Sequence, residues 1–149
     1  MACGRGVGPI LSALSVCACV WNCGGSTVST PSPVTPSPAA KRVLVVTHTA
    51  GFRHSSIPIA ENTLRDLGIT NGLYQAEFCR TEADVASRLT ADGLRQIDAV
   101  FFANTTGNLG IPDMGAFLGW IAAGHGFLGA HSASDAYHES DGYLEMLGG

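Results

Sequence analysis

The residues able to do chemistry fall in three polar stretches, each directly after an apolar run. His48-Thr49-Ala50-Gly51-Phe52-Arg53-His54-Ser55-Ser56 follows Val43–Thr47. Asn104-Thr105-Thr106-Gly107-Asn108 follows Asp98–Ala103, and His131-Ser132-Ala133-Ser134-Asp135 follows Gly126-Phe127-Leu128-Gly129-Ala130. Imidazoles and a carboxylate drawn to one place can hold a divalent, zinc-like metal, or act as general base and orienting acid. His54, His131 and Asp135 are therefore the candidate catalytic residues, and His54 and His131 the candidate metal ligands. Other chemistries have less behind them. Ser132 lacks the Gly-x-Ser-x-Gly setting of a hydrolase nucleophile and reads as a turn or capping hydroxyl. Cys79 has no neighbour in sequence that would lower its pKa, and it reads as a small core residue. The acidic residues near the last stretch, Asp135, Glu139 and Asp141, form no clear pair of the kind glycoside hydrolysis needs.

The elements that must position these residues follow from periodicity. Val43–Thr47 and Asp98–Ala103 are continuous apolar runs, as expected of strands buried on both faces, and Gly126–Ala130 is expected to be a third such strand. Leu73–Cys79 alternates apolar and polar, which suits a strand near a sheet edge. Between the strands lie helices with recognisable ends. Ser55 or Ser56 caps the first, which has Pro58 in its first turn, an Ile59, Leu64 and Leu67 stripe, and Gly68 as its expected end. Thr81 with Asp84 forms a capping box opening a helix to about Leu89. Asp113–Ala123 presents Phe117, Trp120 and Ile121, and Ser140–Leu147 forms a last short helix. The order β-α-β-α-β-α-β-α implies an α/β, three-layer, mostly parallel sheet of flavodoxin-like type. In such a sheet the loops after the strands line one edge, where ligands bind. His48, His54, Asn104, Thr105, Thr106, His131, Ser132 and Asp135 would all reach that edge.

The first 40 residues read differently. Arg5 and the largely apolar run Val7–Val20 make residues 1–23 an export signal, and Val16-Cys17-Ala18-Cys19 loosely matches a lipobox with Cys19 as the acylated residue. Cys23 is the other candidate for acylation. Residues 24–40 form a Ser/Thr/Pro-rich linker that cannot nucleate a helix, which leaves residues 41–149 as the domain. The expected location is the cell envelope, with a lipid anchor to the membrane. Cys3, Cys17, Cys19 and Cys23 have no histidine at finger spacing and make no convincing zinc site. With 8 Lys plus Arg and a net charge of -4, the chain carries no basic footprint for nucleic acid.

Three motifs stand in one order: Thr49-Ala50-Gly51-Phe52-Arg53-His54, Asn104-Thr105-Thr106-Gly107 and Gly129-Ala130-His131-Ser132-Ala133-Ser134-Asp135. Together they resemble the trehalose-utilisation (ThuA-like) family, whose fold is that of class I glutamine amidotransferases. The resemblance covers about residues 41–149. It implies a carbohydrate-metabolism protein that acts on or binds a disaccharide or sugar derivative at the carboxyl edge. On that reading Arg53, Asn104, Thr105, Thr106 and Ser132 contact the sugar. The turn that carries a nucleophilic cysteine in the amidotransferases has His131 in its place, so cysteine amidotransferase chemistry is not expected. The alternative is a non-catalytic sugar-binding or accessory domain with the same fold. Two features depart from the family: His125 stands within its usual glycine run, and its His-Pro element after Leu-Gly-Gly is missing. The resemblance therefore implies a domain truncated at its C-terminus, with its sheet incomplete there.

Overall fold

The computed structural model describes residues 39–148. The expected signal, the Cys19 acylation site and the linker up to residue 38 lie outside the described residues. The described part holds four strands, β1 Lys41–Val46, β2 Tyr74–Cys79, β3 Ala99–Ala103 and β4 Gly126–Ala130. Four helices alternate with them: α1 Ile57–Asn71, α2 Glu82–Arg88, α3 Met114–Ala122 and α4 Asp141–Leu147. A 3-10 turn, His131–Asp135, follows β4 directly. The sheet is parallel throughout, with strand order β2-β1-β3-β4. This is the three-layer α/β arrangement of the flavodoxin-like and class I amidotransferase-like folds.

Strand parity decides the layers. Leu44 and Val46 pair in register with Val100 and Phe102, and Phe102 with Gly129, so these positions share one face. That face meets Val85 of α2, Phe117 of α3 and Tyr143 of α4 in one continuous core. Aromatic rings fill the core over β3 and β4: Phe102 lies 5.2 Å from Phe127 and 6.0 Å from Phe117 between centroids. The opposite face carries Val45, Tyr74 and Phe78, and α1 covers it where β1 and β2 lie. Of the three crossover helices, α2 and α3 lie on one side and α1 on the other, as right-handed crossovers require, because the connection from β1 moves to β2 while those from β2 and β3 move the other way.

Local signals account for most helix ends. Thr81 and Asp84 form the expected capping box. Asp113 caps α3 through Ala116 N at 2.8 Å, and Ser140 caps α4. α1 departs from expectation. It runs through Gly68 and ends at Gly72, whose φ of 66° is the left-handed closing residue. Gly68 is buried instead of terminal, since a Cβ there would lie 2.8 Å from the Tyr74 carbonyl; it lets the helix approach the sheet. The buried face is Ile57, Glu61 and Gly68, whereas Ile59 and Leu67 are exposed. Glu61 tolerates this position because Thr47 donates to one carboxylate oxygen at 2.7 Å and Arg80 to the other at 2.9 Å. Ser56 precedes α1 without capping it, its hydroxyl being engaged by Asn104. β4 also differs. It is paired only with β3 among the described residues, so Leu128 is 48% exposed where a strand buried on both faces was expected.

Candidate active edge

The sheet order places a topological switch between β1 and β3, where chain connections diverge. The loops after these two strands are laced together there. Thr49 and Thr106 share a hydroxyl–hydroxyl hydrogen bond of 2.6 Å, and the Thr106 hydroxyl reaches the Phe52 carbonyl at 2.9 Å. The amides of Ala50 and Gly51 both donate to the Thr106 carbonyl, at 3.1 and 3.2 Å. Gly51 makes this approach possible, because a Cβ there would lie 2.7 Å from the Thr106 hydroxyl oxygen.

Register carries the argument to the next strand. Ala103 pairs with Ala130, so Asn104 and His131 stand at the same level just beyond the sheet. Both have left-handed backbones, with φ of 61° and 54°. The Asn104 amide still donates to the Ala130 carbonyl at 3.3 Å, so the ladder continues to the point where both chains turn. A non-glycine residue held in this region costs of order 1–3 kcal/mol and persists only where its surroundings impose it. Strand, left-handed His131 and immediate 3-10 turn have the form of the sharp elbow that presents a reactive side chain above an α/β sheet. Tyr143 of α4, fully buried, supports the turn by donating its hydroxyl to the Ala133 carbonyl at 2.8 Å.

The predicted histidine pair comes together. The His54 and His131 rings lie 4.5 Å apart between centroids at 70°, an edge-to-face contact, and Phe52 packs its ring edge-on against His54 at 4.9 Å. His131 is exposed and His54 half-buried, so the pair is open to a ligand.

Asp135 does not join them. Its carboxylate pairs with His138 Nε2 at 2.7 Å, at the far end of the turn. Arg53 donates to the Thr47 carbonyl at 3.2 Å and lies on the exposed side of the first loop. Asn104 is buried and donates from Nδ2 to the Ser56 hydroxyl at 2.7 Å. Thr106 is buried in the lacing between loops. The hydroxyl oxygens of Thr105 and Ser132 are buried without a hydrogen-bond partner. Burial of this kind is costly unless something supplies the missing bond, so these two are the unsatisfied polar groups of the edge. His125, outside the edge, stacks on Trp120 with centroids 4.2 Å apart.

Two expectations about chemistry can be set against this geometry. Catalytic zinc sites use three protein ligands. Among the described residues no three His, Cys, Asp or Glu side chains converge, so the two imidazoles fall short of that donor set. Cys79 ends β2 in full burial, which pushes its thiol up to about 12 and makes it the inert core residue expected.

His138 is the residue that sequence reasoning passed over. Its one signal was the three-residue spacing from Asp135, and the pairing is made just beyond the 3-10 turn, where the left-handed Tyr137 turns the chain. Comparisons with curated proteins and with solved structures give no match. Residues 42–149, however, match the family model described as ThuA, trehalose utilisation. The all-parallel α/β sheet agrees with that match, and the chain belongs to the ThuA family.

Proposed function

We propose that this chain binds a disaccharide or sugar derivative at the carboxyl edge and processes it with His54 and His131 as an acid–base pair. The observation that carries the reading is the strained elbow at His131 with the His54 ring against it. Strain of this kind at a solvent-facing imidazole has no packing benefit to explain it, and points to a side chain that must be presented to a ligand. In neutral imidazole one nitrogen donates and the other accepts. Two such rings from separate loops can therefore withdraw a proton from a sugar hydroxyl, or from carbon beside an oxidised position, and return it to the neighbouring atom. The unpartnered hydroxyls of Thr105 and Ser132 suit the polar rim of such a site. No step depends on a metal.

A non-catalytic sugar-binding role is the second reading. It is favoured by the engagement of Asp135 with His138, which leaves the histidine pair without a carboxylate to orient it. Turnover of trehalose and of its oxidised derivatives, followed by chromatography alongside calorimetric binding, separates the two. On the first reading His131→Ala and His54→Ala each lower turnover about 100-fold or more, while affinity stays within a few-fold. Binding without turnover in the unmodified protein selects the second reading. Unchanged turnover in both variants refutes the first.

Export to the cell envelope through residues 1–23, with acylation at Cys19, completes the proposal. Mass spectrometry of the membrane fraction should then find a lipid-modified N-terminus at Cys19; an intact Met1 on the mature protein would refute it.

A further inference from the structure

A concavity lies beyond the elbow. It is a cleft of about 380 Å³ between the loop after β3, the start of α3 and residues 137–140. That volume sits at the small end of ligand pockets and suits a single ring with its substituents. Ile111, Met114 and Tyr137 give it an apolar wall, and Asn108, His138 and Glu139 give it polar groups. The wall is anchored. Tyr137 is buried, and its hydroxyl oxygen accepts from the Ile111 amide at 3.3 Å. Its left-handed backbone, φ 56°, turns the chain so that the tyrosine enters the core while His138 and Glu139 remain at the cleft. Gly107, which lines the cleft, is joined to Ala136 by a strand-like bridge.

We propose that this cleft is a second ligand subsite, distinct from the histidine pair, and that it takes the uncharged ring of a polyhydroxylated compound with His138 as a hydrogen-bonding contact. Three observations carry it. A wall of apolar atoms beside a few polar groups matches a sugar ring, which has an apolar face and a rim of hydroxyls. A carboxylate only accepts, so Asp135 assigns the proton to His138 Nε2 and leaves Nδ1 of the neutral ring as an acceptor for a hydroxyl. No Lys or Arg lines the cleft, while Glu139 lines it and Asp135 stands behind His138. An anionic ligand would meet repulsion there with no compensating cation, so phosphate esters and sugar acids are disfavoured. His131 and Asp135 occupy opposite ends of a five-residue 3-10 turn, which separates their backbones by roughly 8 Å along one edge.

The inference rests on the proposed function only in taking the ligand to be a sugar. The test is calorimetric titration of the full chain with trehalose, glucose and trehalose monophosphate. Unmodified protein should bind the neutral sugars at least about tenfold more tightly than the phosphate ester. Ile111→Trp, which fills the cleft, and His138→Ala should each weaken neutral-sugar binding by about tenfold or more, the loss of one hydrogen bond to a ligand being worth about that much. Glu139→Arg should narrow the preference for neutral sugar over phosphate ester at least fivefold, which a purely structural change would not do. The inference is overturned if His138→Ala and Glu139→Arg behave as unmodified protein, if the phosphate ester binds better, or if no sugar binds. Binding sensitive to Ile111→Trp and His138→Ala, with turnover indifferent to His54→Ala and His131→Ala, would retain this subsite and reject the acid–base pair. The reverse pattern would retain the pair and reject the subsite.

Discussion

His131 concentrates the chemical interest of this protein at the scale of a single residue. Its type offers proton transfer and its backbone shows that the position is imposed: φ is 54° at the first residue beyond β4. An L residue in that conformation brings its Cβ close to the following carbonyl, at about 1–2 kcal/mol, and glycine does not. His131→Gly should therefore be more stable than His131→Ala by about 1 kcal/mol, although both lack the imidazole. Thermal melts of the two variants check this, and equal stability would mean that the elbow is unstrained. Cys79 makes the opposite case. Fully buried, with its thiol pushed up to about 12, it should resist iodoacetamide in native protein and react once denatured. Mass spectrometry of the peptide containing Cys79 reads this separately from the N-terminal cysteines, and rapid native alkylation would contradict the burial.

Among the elements, the 3-10 turn depends on helices and loops outside itself. Tyr143 of α4 holds the Ala133 carbonyl, and Gly107 N of the loop after β3 holds the Asp135 carbonyl at 3.2 Å. Burial pushes the Tyr143 hydroxyl well above the usual range for tyrosine, so it remains a donor throughout the working pH range. Tyr143→Phe keeps the ring contacts with Phe102 and Phe127 but removes one of the two donors to that carbonyl, leaving the Ala136 amide at 3.3 Å. The cost should be about 0.5–1.5 kcal/mol in a denaturant melt, the net worth of one hydrogen bond. Turnover or binding at the histidine pair should fall as well, because the turn that presents His131 loses its support. A stability unchanged within error would show that the Gly107 and Ala136 amides hold the turn without Tyr143.

For the whole molecule, acid sensitivity should follow the ion pairs that tie the edge strand β2 to β1 and α2. Glu77 of β2 receives Arg42 of β1 at 2.7 Å and also pairs with Arg88 of α2. The hydrogen bond from Arg42, and then the interactions with Arg88, hold its carboxyl below the usual range against the opposing effect of burial. Because the folded form binds its proton less readily, the unfolded chain takes up protons first on acidification. The resulting stability is present above the unfolded pKa of about 4.3 and is lost as pH falls through the lower folded value. Glu77→Gln should cost about 1 kcal/mol near neutrality and flatten the acid limb of the stability profile. Denaturant melts from pH 7 to pH 3 test both, and an acid limb of undiminished slope in the variant would assign the effect to other carboxylates.

What the sequence determined by itself was local. The β-branched run at Val43–Val46 and the aromatic run at Val100–Phe102 specify buried strands, because few other environments satisfy continuous apolar residues. Thr81 with Asp84, Asp113 and Ser140 mark helix starts through hydrogen bonds made within three residues. The polar stretches after the strands, with His54 and His131 in them, follow from the same alternation. Tertiary structure decided what depends on distant partners. The order β2-β1-β3-β4 laces the first and third loops together and sets Asn104 level with His131, a relation that no nearby residue encodes. It directs Asp135 to His138 and away from the imidazole pair. It also turns Glu61 and Gly68 of α1 inward, because Thr47, Arg80 and Tyr74 supply partners there that an apolar stripe cannot anticipate. Hydrogen bonds and periodicity act over a few residues, whereas register and crossover set which side chains meet across the chain, and the site is made of the second kind of contact.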